Sequence, residues 1–261
     1  LHEEANSAIE TYYESLSLWE RLAEHFEKKL NHGLDAEHRT EVHRQLGRLY
    51  LNHLNWNEKA LAAWQQVHDF NPQDIESLRS LLELYQQDSR WGDVCRVANE
   101  LIPLVDLVDA NALRLLIGEI QFDRLMDVFL ASKAGKAILE SRSSDVSVLN
   151  RLNKLFLRME DFESASLAEL QLLQLEEGDA DKIRRYYSLA DLYLLRLDNP
   201  EKARDCYESI IDLDDADLKA FGSLRELYRT AECWSELREL DEEFVHRVDD
   251  GDRYEVLLEI R

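Results

Sequence analysis

Glycine and proline are scarce in this chain of 261 residues, which contains 8 Gly and 3 Pro. Sandwiches, barrels and collagen-like folds need many tight turns or a periodic glycine, and this composition argues against all of them. Apolar residues make up 45% of the chain, which is enough for an extended core. The composition therefore predicts an all-α fold.

Positive charge is also in short supply. The chain carries 31 Lys and Arg against 54 Asp and Glu, a formal net charge of -23. A polyanionic partner would be repelled by this charge, because nucleic-acid binding depends on neutralising phosphates with basic side chains. We expect no nucleic-acid partner.

The chain also has few cysteines and no long apolar run. Cys95, Cys206 and Cys233 lie far apart and form no CxxC pair, which favours a reducing compartment over a disulfide-stabilised secreted domain. The sequence contains neither an apolar run of about 18 residues nor a secretory signal pattern. These features predict a cytoplasmic location without membrane insertion.

An internal repeat is the most informative feature that is present. Residues 46–101 align without a gap on 189–244, and the shared residues include the run Glu58 to Ala60, which matches Glu201 to Ala203. Half of the separation between these two segments is about 72 residues, which is the length of the repeating unit. Each unit is built from two related motifs of about 36 residues, close to the period of helix-turn-helix repeats.

Aromatic residues follow the same period. The first column contains Tyr13, Tyr85, Phe156 and Tyr228, and the second, six residues later, contains Trp19, Trp91, Phe162 and Trp234. The columns could be mistaken for a ligand-binding box, but recurrence in every second motif is what stacking contacts between repeats require. We interpret both columns as core.

Helical spacing and capping residues occur inside each motif. Ala60, Trp64 and Val67 fall on one helix face, since residues three and four apart share a face. Asn199 and Pro200 form an N-cap followed by a proline at the first helical position, which predicts the start of a helix.

These residues resemble the tetratricopeptide repeat family. Its first helix carries Leu-Gly or Leu-Ala and then Tyr, and its second carries Ala, an aromatic residue, a further small residue and a terminal Pro. The matches are Leu46, Gly47 and Tyr50, Leu189, Ala190 and Tyr193, and Ala60, Trp64, Val67 and Pro72. The resemblance implies a right-handed superhelical solenoid of antiparallel helix pairs, similar to the arrays of large bacterial scaffold proteins. Gln121, Gly135 and Glu169 depart from the pattern where it expects aromatic residues.

The resemblance covers the whole chain and implies a single array over 1–261. The motifs are placed at 3–39, 40–74, 75–110, 111–145, 146–182, 183–217 and 218–253, with an eighth begun at 254–261. Neither end carries a polar capping helix, which a terminal repeat needs for solubility. We expect the chain to be an excerpt of a longer protein.

Catalytic and metal-binding motifs are absent from the sequence. It contains no GxSxG, no P-loop and no HExxH, so we expect neither an enzyme nor a cofactor. His38 and His43 are five residues apart, too many for chelation from one helix face. Asp212 to Asp217 lack the glycine and terminal Glu of a calcium loop, and we interpret them as a solvated turn.

In the resembled family the first helices line a concave groove, and this implies a set of binding positions. Basic and acidic residues balance at those positions, and motif five contributes a run without acids from Asn150 to Arg158. The family's clamp for a C-terminal carboxylate is not present, since Asn150 and Lys154 stand in reverse order. The candidate site comprises Arg79, Phe122, Asn150, Arg151, Lys154, Arg158, Arg184, Tyr187 and Asp191.

The resulting hypothesis is a non-catalytic, monomeric scaffold for protein-protein interaction. Its groove would bind a peptide or helix with acidic residues next to apolar ones. The alternatives are a structural spacer or self-association module, and the regulatory arm of an enzyme outside this segment. At the patch itself, the arginines could instead pair with local acids, and Leu157, Leu194 and Leu195 could pack against neighbouring helices.

Overall fold

The computed structural model describes residues 2–31 and 33–247. This part of the chain contains fourteen α-helices and no strand, so the predicted all-α fold is confirmed. The chain divides into two compact units, Leu1–Asp127 and Val128–Arg261, which are described separately below. The proposed eighth motif at 254–261 lies outside the described residues.

The first unit contains seven α-helices among its described residues. A π-helical turn at Tyr50–Leu54 extends the third helix, and a short 3-10 turn at Ile102–Leu104 follows the sixth. The helices are α1 His2–Ser15, α2 Trp19–Leu30, α3 Ala36–Leu49, α4 Asn57–Phe70, α5 Ile75–Gln87, α6 Trp91–Leu101 and α7 Leu107–Asp123.

The second unit also contains seven α-helices in its described part. They are α8 Val128–Glu140, α9 Val146–Arg158, α10 Phe162–Leu175, α11 Asp179–Leu195, α12 Pro200–Leu213, α13 Leu218–Thr230 and α14 Trp234–Arg247. In both units each helix packs against the next one along the chain, which is how a helical repeat buries its apolar faces.

Aspartate and asparagine side chains start many of these helices. Asp74 accepts a hydrogen bond from the backbone N–H of Ser77 at 2.7 Å, and Asp217 accepts one from Ala220 at 2.9 Å. Asn199 accepts one from Lys202 at 3.1 Å, with Pro200 at the first helical position as predicted. Such caps satisfy amides that have no partner within the helix.

Two glycines allow large aromatic rings into the core. A Cβ at Gly47 would lie 2.6 Å from Trp64, which is buried together with Ala60 and Val67. A Cβ at Gly135 would lie 2.7 Å from the ring of Phe156. The aromatic residue that the repeat pattern expects at Gly135 is therefore replaced by a ring from the neighbouring helix α9.

Three rings of the second aromatic column lie under cationic or imidazole side chains. His53 stacks on Trp19 with ring centroids 3.9 Å apart, and the guanidinium carbons of Arg124 and Arg196 lie 5.2 Å from the rings of Trp91 and Phe162. Trp19, Trp91 and Phe162 are half-buried, and Trp234 is 58% exposed. The prediction that this column is core is wrong for Trp234, and the other three rings are only partly buried because their covering side chains lie at the surface.

Candidate functional site

The predicted site residues fall in both units. Arg79 on α5 and Phe122 on α7 belong to the first unit. The others belong to the second unit, where α9 carries Asn150, Arg151, Lys154 and Arg158, and α11 carries Arg184, Tyr187 and Asp191.

Helix α9 is strongly amphipathic. Leu149, Leu152 and Phe156 are completely buried, and this fixes the opposite face toward solvent. Lys154 is exposed on that face and makes no hydrogen bond or ion pair with any residue that the structure describes. Arg151 and Arg158 are exposed as well. Asn150 is half-buried and donates its side-chain N–H to the carbonyl oxygen of Val146 at 2.8 Å.

Two of the predicted residues on α11 have partners nearby. Arg184 is exposed and pairs with Asp181 of the same helix at 2.7 Å. Tyr187 is half-buried, and its hydroxyl donates to the Asp217 carboxylate at 2.6 Å. The Lys219 ammonium lies 4.1 Å from the Tyr187 ring centroid. Burial, together with the Asp217 carboxylate, raises the pKa of Tyr187.

The predicted residue Asp191 lines an open cavity of about 190 Å³ between α9 and α11. Its sides are partly apolar, because Leu157 is 41% exposed and Leu195 is 75% exposed. We call this region the α9–α11 groove. Its cavity is lined by Asn153, Leu157, Glu169, Ser188, Asp191, Leu192, Leu195 and Arg196.

A buried carboxylate lies at the cavity wall. Glu169 of α10 accepts hydrogen bonds from Asn153 at 2.7 Å and from Arg185 at 3.2 Å. Arg185 also pairs with Glu176 at 2.7 Å. Burial raises the pKa of Glu169, and the neighbouring Arg185 offsets this effect only in part. This network holds α9, α10 and α11 together beneath the groove.

Sequence reasoning missed Glu169 as part of the site. The available signal was its departure from the repeat pattern, which expects an aromatic residue there. A buried acid is tolerated when it is paired and hydrogen-bonded, and both of its partners lie 16 residues away in sequence. No local spacing pattern predicts such a network.

The first unit has a cavity of its own, at Arg79. This residue is exposed and pairs with Asp109 of α7 at 2.6 Å. The adjoining cavity has a volume of about 330 Å³ and lies between α5 and α7. Phe122, the other predicted residue of this unit, is half-buried near the end of α7. The cavity is lined by Arg79, Leu82, Glu83, Gln86, Leu101, Asp109, Ala112, Leu113 and Leu116.

Metal ligation and membrane insertion have no structural signature in residues 2–31 and 33–247. No group of three or more His, Cys, Asp or Glu side chains in this part could hold a metal ion. None of its helices has the length and apolar character required to cross a bilayer. Asp214 and Asp217, from the acidic run, lie at the end of α12 and the start of α13.

The fold is that of a helical repeat, and tetratricopeptide repeat proteins are among the solved structures that match it. A chain of the Naa15/Naa10 complex bound to HypK-THB matches with a TM-score of 0.52 and 11% identity, over 99% of this chain and 39% of that one. This chain thus spans well under half of that protein.

Two shorter tetratricopeptide repeat proteins match over nearly their whole length. The protein from Parabacteroides merdae has a TM-score of 0.47 and 12% identity, over 97% of this chain and 96% of that one. YrrB, described as having an unusual peptide-binding site, has a TM-score of 0.44 and 14% identity, over 77% of this chain and 98% of that one. No protein-family model and no curated protein matches the sequence.

Proposed function

We propose that this chain is a non-catalytic scaffold that binds a segment of another protein in the α9–α11 groove. The ligand is an extended peptide or a helix in which an acidic residue stands next to an apolar one. The acid pairs with Lys154, and the apolar side chain enters the cavity between Leu157 and Leu195.

The exposed ammonium of Lys154 is the observation that carries this proposal. Lys154 makes no polar contact with the described residues, whereas Arg184 of the same candidate site has a carboxylate partner at 2.7 Å. This ammonium group, beside a partly apolar cavity, can bind a ligand carboxylate without breaking an existing ion pair. The net charge of -23 works against anions elsewhere on the surface, so recognition of an acid requires such a local cation.

The size of the cavity supports a side-chain ligand. Pockets for small molecules usually enclose about 300–1,000 Å³ and cover most of their ligand. The groove cavity of about 190 Å³ is smaller and open, and its dimensions suit one apolar side chain. Asp191 lines the same cavity and offers an acceptor for a donor on the ligand backbone or side chain.

The experiment starts from peptides selected against the full chain from a random display library. Affinities are then measured by fluorescence anisotropy for the wild type, Lys154→Glu and the matched control Lys133→Glu, an exposed lysine of α8. Both variants change the net charge by the same amount. We expect Lys154→Glu to weaken binding about tenfold, since exposed ion pairs contribute up to about 1 kcal/mol and reversal adds repulsion.

A second variant tests the apolar contact. Leu195→Gln removes an exposed apolar side chain from the cavity rim, and we expect it to weaken binding about tenfold. The proposal fails if both groove variants bind the selected peptides as tightly as Lys133→Glu does. It fails as well if repeated selections yield no peptide that binds the wild type.

A further inference from the structure

The cavity between α5 and α7 in the first unit is the repeat equivalent of the α9–α11 groove in the second. The repeat aligns Tyr85 with Phe156, 71 residues later, and Gly118 with Ala190, 72 residues later. With these offsets the two cavities share three lining positions. The residues there are Leu82, Gln86 and Leu116 in the first unit and Asn153, Leu157 and Ser188 in the second. We call the cavity of the first unit the α5–α7 groove.

The two grooves differ in what lies beneath them. Leu113 lines the α5–α7 groove, and its equivalent in the second unit is Arg185, which pairs with the buried Glu169 at 3.2 Å. The position of Glu169 is taken in the first unit by Ala98, which is completely buried. An apolar ligand side chain can therefore enter the α5–α7 groove without lying against a buried ion pair, whose polar atoms it could not hydrogen-bond.

A short side chain leaves one side of the α5–α7 groove open. Ala112 lines the cavity and is exposed, whereas its equivalent in the second unit is Arg184. The α5–α7 cavity has a volume of about 330 Å³, compared with about 190 Å³ for the α9–α11 groove. The larger volume lies near the lower limit of small-molecule pockets, about 300 Å³. It can hold a leucine or phenylalanine side chain together with part of the ligand backbone.

The charges beside this groove leave one carboxylate without a cation. The charged residues in its lining are Arg79, Glu83 and Asp109. Arg79 and Asp109 pair at 2.6 Å, so their charges cancel. Glu83 is exposed and accepts a hydrogen bond from the Gln87 side chain at 3.2 Å, but it makes no ion pair with any residue that the structure describes. Its equivalent in the second unit is Lys154, so the sign of the unpaired charge is reversed.

We propose that the α5–α7 groove binds a segment of another protein in which a lysine or arginine stands next to a large apolar residue. The apolar side chain enters the cavity against Leu82, Leu113 and Leu116, and the cation pairs with the Glu83 carboxylate. The charge preference is opposite to that of the ligand proposed for the α9–α11 groove. The two grooves therefore select different segments, and this proposal does not rest on the first one.

The probes are peptides from a display library in which each member carries one lysine or arginine beside a leucine or phenylalanine and has no acidic residue. Peptides selected on the full chain are labelled, and fluorescence anisotropy compares the wild type with Glu83→Lys and Ala112→Arg. The matched controls are Glu24→Lys in α2 and Ala62→Arg in α4, both at exposed positions of the same unit. Lys154→Glu reports on the α9–α11 groove.

We expect Glu83→Lys to weaken binding at least tenfold, because the ion pair is replaced by repulsion. Ala112→Arg should also weaken binding at least tenfold, since the long side chain fills the open side of the cavity. Both controls and Lys154→Glu should bind within about twofold of the wild type. Lysine and arginine are good helix formers, and circular dichroism should show that all variants fold. Either groove variant decides the test with its own control if the other does not fold.

Several outcomes would overturn the proposal. Groove variants that bind as tightly as their controls would place the peptides elsewhere, and a loss in Lys154→Glu alone would place them in the α9–α11 groove. An equal loss in Glu83→Lys and Glu24→Lys would show attraction to the overall charge rather than to this site. A library that yields no binder would remove the site altogether. Dimers of the wild type in size-exclusion chromatography that Ala112→Arg abolishes would assign the groove to a second copy of the chain.

Discussion

Gly135→Ala should destabilise the second unit by about 2 kcal/mol. Alanine in a helix interior is favoured over glycine by about 1 kcal/mol. At Gly135 the new Cβ would lie 2.7 and 2.9 Å from atoms of the Phe156 ring and 3.0 Å from Leu152. Both side chains are completely buried, so neither can move aside without disturbing the core. Overpacking of this kind costs up to about 3 kcal/mol, which exceeds the gain.

Gly222→Ala is the matched control in the same unit. Gly222 lies inside α13, and a Cβ there would meet no atom within 4 Å. Only the helix preference acts at this position, so the variant should be about 1 kcal/mol more stable than the wild type. The two glycines are thus expected to respond to the same substitution with opposite signs.

Urea unfolding followed by circular dichroism measures both effects. With a slope of about 2 kcal/mol per molar urea, Gly135→Ala should lower the unfolding midpoint by about 1 M, and Gly222→Ala should raise it by about half as much. A Gly135→Ala protein as stable as the wild type would refute the close packing of α8 on Phe156. A Gly222→Ala variant that is less stable than the wild type would refute the assumption that helix preference alone sets the change in stability where a new Cβ meets no other atom.

The remaining predictions concern titration and thiol reactivity. Because burial raises the folded-state pKa of Glu169, its contribution to stability is present below the unfolded pKa and is lost as pH rises through the folded pKa. The free energy of unfolding of the wild type relative to Glu169→Gln should therefore fall as the pH rises above 4.5 in urea titrations, and a relative rise would contradict this origin. Burial raises the pKa of Cys206 to about 12 and also raises that of Cys95. Iodoacetamide at pH 8 should therefore modify half-exposed Cys233 first, and peptide mass mapping that finds Cys206 labelled at the same rate would contradict the burial.

The helices and their core faces could be predicted from the sequence because they depend on local spacing. Ala60, Trp64 and Val67 repeat at three and four residues, and all three are buried. Asn199 and Pro200 start α12 as expected, since capping also involves neighbouring residues only. Local rules thus account for most of the fold.

The burial of a repeated aromatic ring could not be predicted from the period of the repeat. Tyr85 and Trp91 recur with equal regularity, and each has a guanidinium near its ring, from Arg90 at 4.5 Å and from Arg124 at 5.2 Å, yet Tyr85 is buried and Trp91 is half-buried. Periodicity therefore shows that an aromatic ring recurs, and it does not show how deeply each ring is buried.

The sequence predicted which helix faces carry the candidate residues, and it did not predict the contacts that these residues make. Lys154 and Asp191 are exposed on the expected helices. Tyr187, expected to hold a ligand, donates its hydroxyl to Asp217, the N-cap residue of α13, at 2.6 Å. The Glu169 network was missed because burial of a carboxylate depends on partners from other helices. Position in a repeat therefore identifies a face, and the partners decide which of its side chains remain available.

A charge-exchange experiment tests the pairing of Lys154 with a ligand carboxylate most directly. A selected peptide is compared with a version in which its acidic residue is replaced by lysine, against the wild type and Lys154→Glu, in a double-mutant cycle. The proposed contact predicts that each single exchange weakens binding about tenfold and that the double exchange restores affinity to within about threefold of the original pair. Additive losses, with no recovery in the double exchange, would contradict a ligand bound at Lys154.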